Sequence, residues 1–237
     1  MQSWLASQLD SLDPALQLLQ RGGPIVLLLV LLSVLAVSII IAKLLHFQVL
    51  GIGHRKKLYE SLSDWRKGNQ QGALKSLKQL PRHPVARVMD AAMQGLLSER
   101  SEATVREEVT RIARNHIEHL RGWLRALELI ANLSPLLGLL GTVIGMIEAF
   151  RQLESAGNQV DPALLSGGIW QALLTTAVGL IVAIPALVAH QWLERKVERC
   201  AHLMEDCTTR VFTSIPSSRS RKSTSIAQAP SKQRVEL

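Results

Sequence analysis

Three long stretches without a charged residue constrain the fold of this 237-residue chain more than any other feature. They run over residues 25–42, 129–147 and 163–191. A helix needs about 20 mostly apolar residues to cross a hydrocarbon core of ~30 Å. The chain is 47% hydrophobic but only 4% aromatic, a balance typical of helices that pack against lipid and one another. The sequence therefore predicts an all-α membrane protein with three transmembrane helices.

The positions of lysine and arginine predict the orientation of these helices. One precedes the first stretch, sixteen lie between residues 43 and 125, one lies between the second and third stretches, and nine follow residue 194. Because loops rich in Lys and Arg stay in the cytoplasm, we expect the N-terminus outside and the C-terminus inside. The net charge of +8 then reflects topology. Nucleic acid is not an expected partner, because no basic and aromatic platform accompanies the charge.

These observations divide the chain into eight predicted segments. In order they are an outer N-terminal amphipathic segment (1–23), transmembrane helix 1 (24–45), a cytoplasmic helical domain (46–125), transmembrane helix 2 (126–150), an outer hairpin (151–162), transmembrane helix 3 (163–193), a cytoplasmic helix (194–214) and a disordered basic tail (215–237). The first segment is expected either to lie at the outer interface or to pack on the bundle. We do not expect it to be a cleaved signal.

Apolar residues at steps of three and four predict a long helix before the second stretch. This face consists of Val105, Val109, Ile112, His116, Leu120, Trp123 and Leu127, a spacing that marks one buried face. Ser101 or Thr104 is placed to cap its start. Because no breaker precedes the second stretch, we expect one helix of ~45 residues that continues into the membrane. Between residues 55 and 100 we expect shorter helices, broken at Gly68, Gly72, Pro81 and Pro84.

A heptad pattern predicts that the third transmembrane helix continues beyond the membrane. Its seam consists of Leu193, Val197, Cys200, Met204, Cys207 and Val211, at alternating steps of four and three. Both cysteines lie on this seam, so we expect packed thiols rather than metal ligands. No soluble catalytic motif is present, and we expect neither an enzyme nor a cofactor or metal.

Small and polar residues distinguish the second and third stretches. Helix packing is expected at Gly138, Gly141, Gly145, Gly179 and Pro185, since small residues let helix backbones approach closely. Polar residues lie within the stretches at Thr142, Gln171, Thr175 and Thr176. Counting from the outer hairpin puts Thr142 and Gln171 at similar depth, with Thr176 one turn deeper. Such a layer either joins helices by hydrogen bonds or lines a polar path.

Two sequence blocks resemble the ExbB/TolQ/MotA family of inner-membrane proton-channel subunits. The first runs from Leu139 through Gly-Thr-Val-Ile-Gly to Met146, and the second from Gln171 through Ala-Leu-Leu-Thr-Thr-Ala-Val-Gly to the Pro-Ala pair at 185–186. The similarity is greatest to ExbB and TolQ. It implies a bacterial inner-membrane protein in which five copies form a ring around single-span ExbD- or TolR-type helices. Proton flow through that ring would drive a TonB- or TolA-type protein, and so outer-membrane transport such as iron–siderophore uptake.

The resemblance assigns the polar residues a role and contains one departure. Thr142 and Thr176 match pore-lining threonines of the family, and Thr175 adjoins them. Gln171 stands where ExbB and TolQ typically carry a glutamate. An amide donates and accepts hydrogen bonds but does not titrate, so we expect a partner's acid to carry protons, with no acid of this chain replacing the glutamate. The sequence leaves open an ExbB-like role, a TolQ-like role in envelope maintenance, and a non-conducting ring scaffold.

Overall fold

The computed structural model describes residues 2–51, 55–98, 100–156 and 162–214, and side chains before residue 23 are outside this description. The described residues form seven helices and no strand. The helices are α1 (Gln2–Val49), α2 (Arg55–Arg66), α3 (Gln70–Lys78), α4 (Pro84–Leu97), α5 (Glu102–Arg121), α6 (Leu124–Ala156) and α7 (Pro162–Thr213). The all-α prediction is confirmed. The predicted disordered tail, 215–237, lies outside the described residues.

Three regions of described helix are long and apolar enough to cross a membrane by length and composition. They lie within Gly23–Val49, Glu102–Ser155 and Leu165–Thr213. The first two contain the stretches 25–42 and 129–147, and the third contains residues 165–191 of the last stretch. The prediction of three membrane-length helices is confirmed.

The first membrane-length helix begins at a kink. Gly23 has φ of +69° inside α1, a left-handed conformation that favours glycine because it has no β-carbon. The kink separates the N-terminal helical segment from the apolar stretch. The helix then continues to Val49, four residues beyond the predicted end.

The expected continuous helix from Ser101 into the second stretch is wrong. Helix α5 ends at Arg121 and α6 begins at Leu124, with Trp123 in a positive-φ conformation at +67°. The Gly122 N–H donates to the Glu118 carbonyl, 2.9 Å away, and this bond closes α5. Trp123 is 71% exposed, so it does not belong to the buried face. The break at Gly122 and Trp123 is the feature that the periodicity analysis missed.

The chain divides into two compact units, of which the first comprises Met1–Gln48 and Glu118–Glu198. Its surface is strongly apolar. Every large exposed hydrophobic side chain in the described residues belongs to this unit except Val49, Tyr59 and Leu97. At the α5–α6 break the buried Lys43 ammonium donates to the Leu120 carbonyl, 2.9 Å away. Such an apolar exterior needs lipid or other apolar surfaces around it.

The second unit comprises Val49–Ile117 and Arg199–Leu237 and has an ordinary buried core. Residues at its centre include Leu58, Leu62, Leu77, Val88, Met89, Met93, Val109 and Met204. The Trp65 indole N–H donates to the Val211 carbonyl at 3.3 Å. One predicted break is wrong here, because Gly72 lies inside α3, which Asn69 caps. The break predicted at Pro84 agrees with the structure, since Pro84 is the first residue of α4 and proline is tolerated in a first turn.

The heptad seam of α7 is confirmed. All six seam residues are buried, none more than 2% exposed: Leu193, Val197, Cys200, Met204, Cys207 and Val211. Neither cysteine forms a disulfide bond. At the start of α5 the Ser101 hydroxyl accepts from the Thr104 N–H, 3.2 Å away, which is the expected cap.

Candidate functional site

Helices α6 and α7 pack closely along a line of small residues. A β-carbon added to Gly179 would lie 2.6 Å from the Ser134 carbonyl oxygen, and one added to Gly138 would lie 3.0 Å from the Thr175 carbonyl oxygen. One added to Gly145 would lie 2.9 Å from the Ala172 β-carbon. The spacing of these contacts makes the two helices antiparallel neighbours. Only glycine allows this backbone separation.

Two threonines of α7 share one acceptor on α6. The Thr175 hydroxyl lies 3.1 Å and the Thr176 hydroxyl 3.0 Å from the Gly138 carbonyl oxygen. The Thr175 hydroxyl also lies 2.7 Å from its own Ala172 carbonyl, and Thr175 is buried. The proton of Thr175 is therefore committed to backbone carbonyls, while its oxygen can still accept a hydrogen bond.

The helix register corrects the expected depth of the polar residues. Gly145 opposes Ala172, and Gly141 opposes Thr175. Thr142 follows Gly141 and so lies near the level of Thr175. Gln171 lies about one turn closer to the hairpin end of the pair, so Thr142 and Gln171 do not form one layer. The estimate from loop ends erred because α6 continues to Ala156, beyond the expected end of the span.

A cavity of about 440 Å³ opens at the hairpin end of this helix pair. Its polar lining residues are Glu148 and Gln152 of α6 with Gln171 and Thr175 of α7. The start of the first apolar stretch, at Gly23, Pro24 and Ile25, also lines it. The cavity thus joins polar side chains from two helices beside the α1 kink.

Of the other predicted residues, Gly141 and Gly145 also line this cavity. Its lining does not include Thr142, Thr176, Gly138, Gly179 or Pro185. The Thr142 hydroxyl donates to the Leu139 carbonyl of its own helix, 2.7 Å away. Thr176 bonds to Gly138, as described above. Pro185 lies inside α7 and is exposed in the single chain.

Glu148 is a polar cavity residue that the sequence analysis did not include among the site residues. It lines the same cavity as Gln171. The signal was present in the spacing, because Gly141, Gly145 and Glu148 follow one another at steps of four and three. That spacing puts Glu148 on the same helix face as the two glycines that meet α7.

The fold and this helix pair agree with one protein family. Residues 81–206 match the MotA/TolQ/ExbB proton channel family, and the match covers more than half of the chain. The chain therefore belongs to the MotA/TolQ/ExbB proton channel family, as its two motif blocks predicted.

Individual relatives include both ExbB and TolQ proteins. Biopolymer transport protein exbB1 of Vibrio cholerae is 41% identical over 85 residues, which is 34% of this chain and 37% of the relative. Tol-Pal system protein TolQ of Haemophilus influenzae is 34% identical over 148 residues, 60% of each chain. TolQ of Pseudomonas aeruginosa is 36% identical over 109 residues, 46% of this chain and 43% of the relative. The chain thus spans less than two thirds of these relatives in each match.

Proposed function

We propose that this chain is an ExbB-like proton-channel subunit of the bacterial inner membrane. In this proposal it forms a ring, a pentamer by analogy with the family, around a single-span ExbD-type partner. Proton flow through the complex energises a TonB-type protein and so outer-membrane transport, for example of iron–siderophores. The observation that carries the proposal is the family match over the α6–α7 pair, combined with polar side chains inside a strongly apolar unit.

The exposed apolar surface of the first unit supports assembly in a membrane. Its exposed side chains lie on α1, α6 and α7, for example Leu31, Leu136 and Ile181, each at least 60% exposed. Three helices cannot bury all of their apolar side chains against one another. We therefore expect lipid and neighbouring subunits to cover the side chains that remain exposed. Polar groups in such a setting are costly and are commonly functional.

Native mass spectrometry of the tagged protein, extracted gently from its own membranes, tests this proposal. The expected result is a ring of this chain that retains small single-span subunits, at least one of which has an intramembrane aspartate. Proton flux by the same complex in liposomes should depend on that partner. A ring with an empty or lipid-filled centre in several detergents, and without flux, would contradict the channel proposal.

Two alternative functions have a specific basis. The TolQ relatives favour a role in the envelope-maintenance system, which co-purification of TolR- and TolA-type rather than ExbD- and TonB-type partners would identify. Gln171 favours a non-conducting ring scaffold, because an amide cannot carry a proton. Measured proton current through the reconstituted complex would exclude the scaffold.

A further inference from the structure

We propose that Glu148, which lines the same cavity as Gln171, is the carboxylate of this chain that takes up and releases protons there. Glu148 lies on α6 and Gln171 on α7, on opposite sides of one helix pair. This inference rests on the proposed channel function and adds to it a proton-carrying residue of the chain itself.

The helix contacts put Glu148 beside Gln171. Ala149 meets Gly168, and Gly145 meets Ala172. Glu148 lies between these two contacts on α6, and Gln171 lies between them on α7. From the register the two residues differ in height by only ~3 Å, about two residues of helix rise. A carboxylate at position 148 of α6 or at position 171 of α7 therefore lies at nearly the same height along the helix pair.

The Glu148 side chain lines the cavity, and its hydrogen bond to the Gln152 side chain is long. Both Glu148 and Gln171 are exposed in the single chain while lining the cavity. The Gln152 amide donates to Glu148 at 3.3 Å, from one turn further along the same helix. Among the described residues, none of the ion pairs includes Glu148. A carboxylate without a fixed cation can gain and lose a proton without breaking a salt bridge.

The proton transfer has a simple balance. Hydronium at the hairpin end gives its proton to a Glu148 carboxylate oxygen and becomes water. The carboxylic acid then returns that proton to a water deeper in the cavity and is again a carboxylate. Gln171 can orient such water by donating and accepting hydrogen bonds, and Thr175 can accept one. Thr175 lies ~9 Å from Glu148 along the helix axis, on the side away from the hairpin. The polar groups therefore line a path long enough for a chain of several water molecules.

Proton flux through proteoliposomes that contain the complex with its partner tests the assignment. Three variants are compared with the wild type: E148Q, the double variant E148Q/Q171E, and the control E154Q. Glu154 is an exposed acid two turns further along α6, outside the cavity lining. We expect E148Q to lose at least tenfold in flux, E154Q to keep it, and the double variant to recover it, because it returns a carboxylate to the same level on α7.

The outcomes separate the two proposals. A wild-type complex without partner-dependent flux would overturn the channel function and this inference with it. A conducting wild type with an equally conducting E148Q would overturn the assignment to Glu148 alone, as would a double variant that stays inactive although it assembles normally by native mass spectrometry.

Chemical modification provides a second measurement that does not depend on a folded variant. An apolar carbodiimide reacts with protonated carboxyl groups in membrane proteins and blocks them as an acylurea. In the wild-type complex we expect it to modify Glu148, identified by peptide mapping, and to reduce flux in proportion. Complete modification of Glu148 without loss of flux would contradict the proposal.

Discussion

Gly179 and Gly167 lie on the same helix but differ in how closely other described residues approach them. A β-carbon on Gly179 would lie 2.6 Å from the Ser134 carbonyl oxygen and 3.1 Å from the Gly138 α-carbon, whereas one on Gly167 would have no described atom within 4 Å. Backbone atoms cannot rotate away as a side chain can. Close packing between α6 and α7 therefore depends on the missing β-carbon at 179.

Replacing each glycine with alanine separates packing from helix propensity. Alanine favours a helix over glycine by about 1 kcal/mol at either position. We expect G167A to be neutral or slightly stabilising, and G179A to lower the free energy of unfolding by about 1–3 kcal/mol, as overpacking does. Unfolding of both variants in one detergent measures this. Equal stabilities would contradict the close contact of the two helices.

At the contact between α6 and α7, the sequence predicted which types of residue take part better than it predicted which residues meet. The glycine spacing indicated a close helix approach, and the contacts of Gly138, Gly141 and Gly145 with α7 agree with it. Which polar residues meet could not be predicted, because a shift of one turn between antiparallel helices changes every partner. That shift aligns Thr142 with Thr175, and not with Gln171, and it brings Glu148 to the cavity.

The break between α5 and α6 depends on a residue poorly suited to its backbone conformation. Trp123 has φ of +67°, and a left-handed conformation costs an L-residue about 1–2 kcal/mol. Its side chain is largely exposed, so trimming it removes few contacts. The variants W123G and W123A lose the same indole ring, but only glycine removes the backbone strain.

We therefore expect W123G to be more stable than W123A by about 1 kcal/mol, since glycine adopts positive φ freely. Thermal unfolding of the two variants in detergent measures the difference. If the two had equal stability, or if W123A were the more stable, then α5 and α6 would form one continuous helix in solution, as the sequence pattern had suggested.

The elements differed in how well the sequence predicted them. The seam of α7 repeats over six buried residues, and so its continuation to Thr213 was predictable from local pattern alone. The break after α5 was not, because Leu120, Leu124 and Leu127 are all buried and keep a helical spacing across it. A hydrophobic pattern records which residues are buried, not whether the backbone between them is helical.

For the assembled channel, the threonine hydroxyls provide a test of the polar path. Thr142 and Thr176 each donate a hydrogen bond to a backbone carbonyl, of Leu139 and Gly138 respectively. Valine has a similar shape but no hydroxyl. We expect T142V or T176V to abolish partner-dependent proton flux while the ring still assembles, because each variant removes a polar group at mid-helix.

The matched control for these variants is T110V. The Thr110 hydroxyl makes the same kind of bond, to the Arg106 carbonyl at 2.8 Å, but it lies on α5, outside the helix pair. T110V should keep its flux. Normal flux in both T142V and T176V would contradict a polar path that includes them.

The membrane topology of the whole molecule can be measured by labelling single introduced cysteines, because the two natural cysteines should give little background labelling. Cys200 and Cys207 are at most 1% exposed, so a membrane-impermeant maleimide should leave the wild type unlabelled. Ser155, near the end of α6, and Ser63, on α2, are both exposed. The distribution of lysine and arginine predicts that the hairpin lies outside and the α2 region inside.

We expect S155C to react in intact spheroplasts and S63C to react only after the membrane is opened. Both serines are exposed, and the charge distribution assigns them to opposite sides of the membrane, so each variant serves as the control for the other. The opposite pattern would reverse the orientation, and Glu148 would then lie at the cytoplasmic mouth of its cavity. Proton uptake from outside would have to begin at the other end of the helix pair, where Arg121 and Glu194 form an ion pair at 3.1 Å.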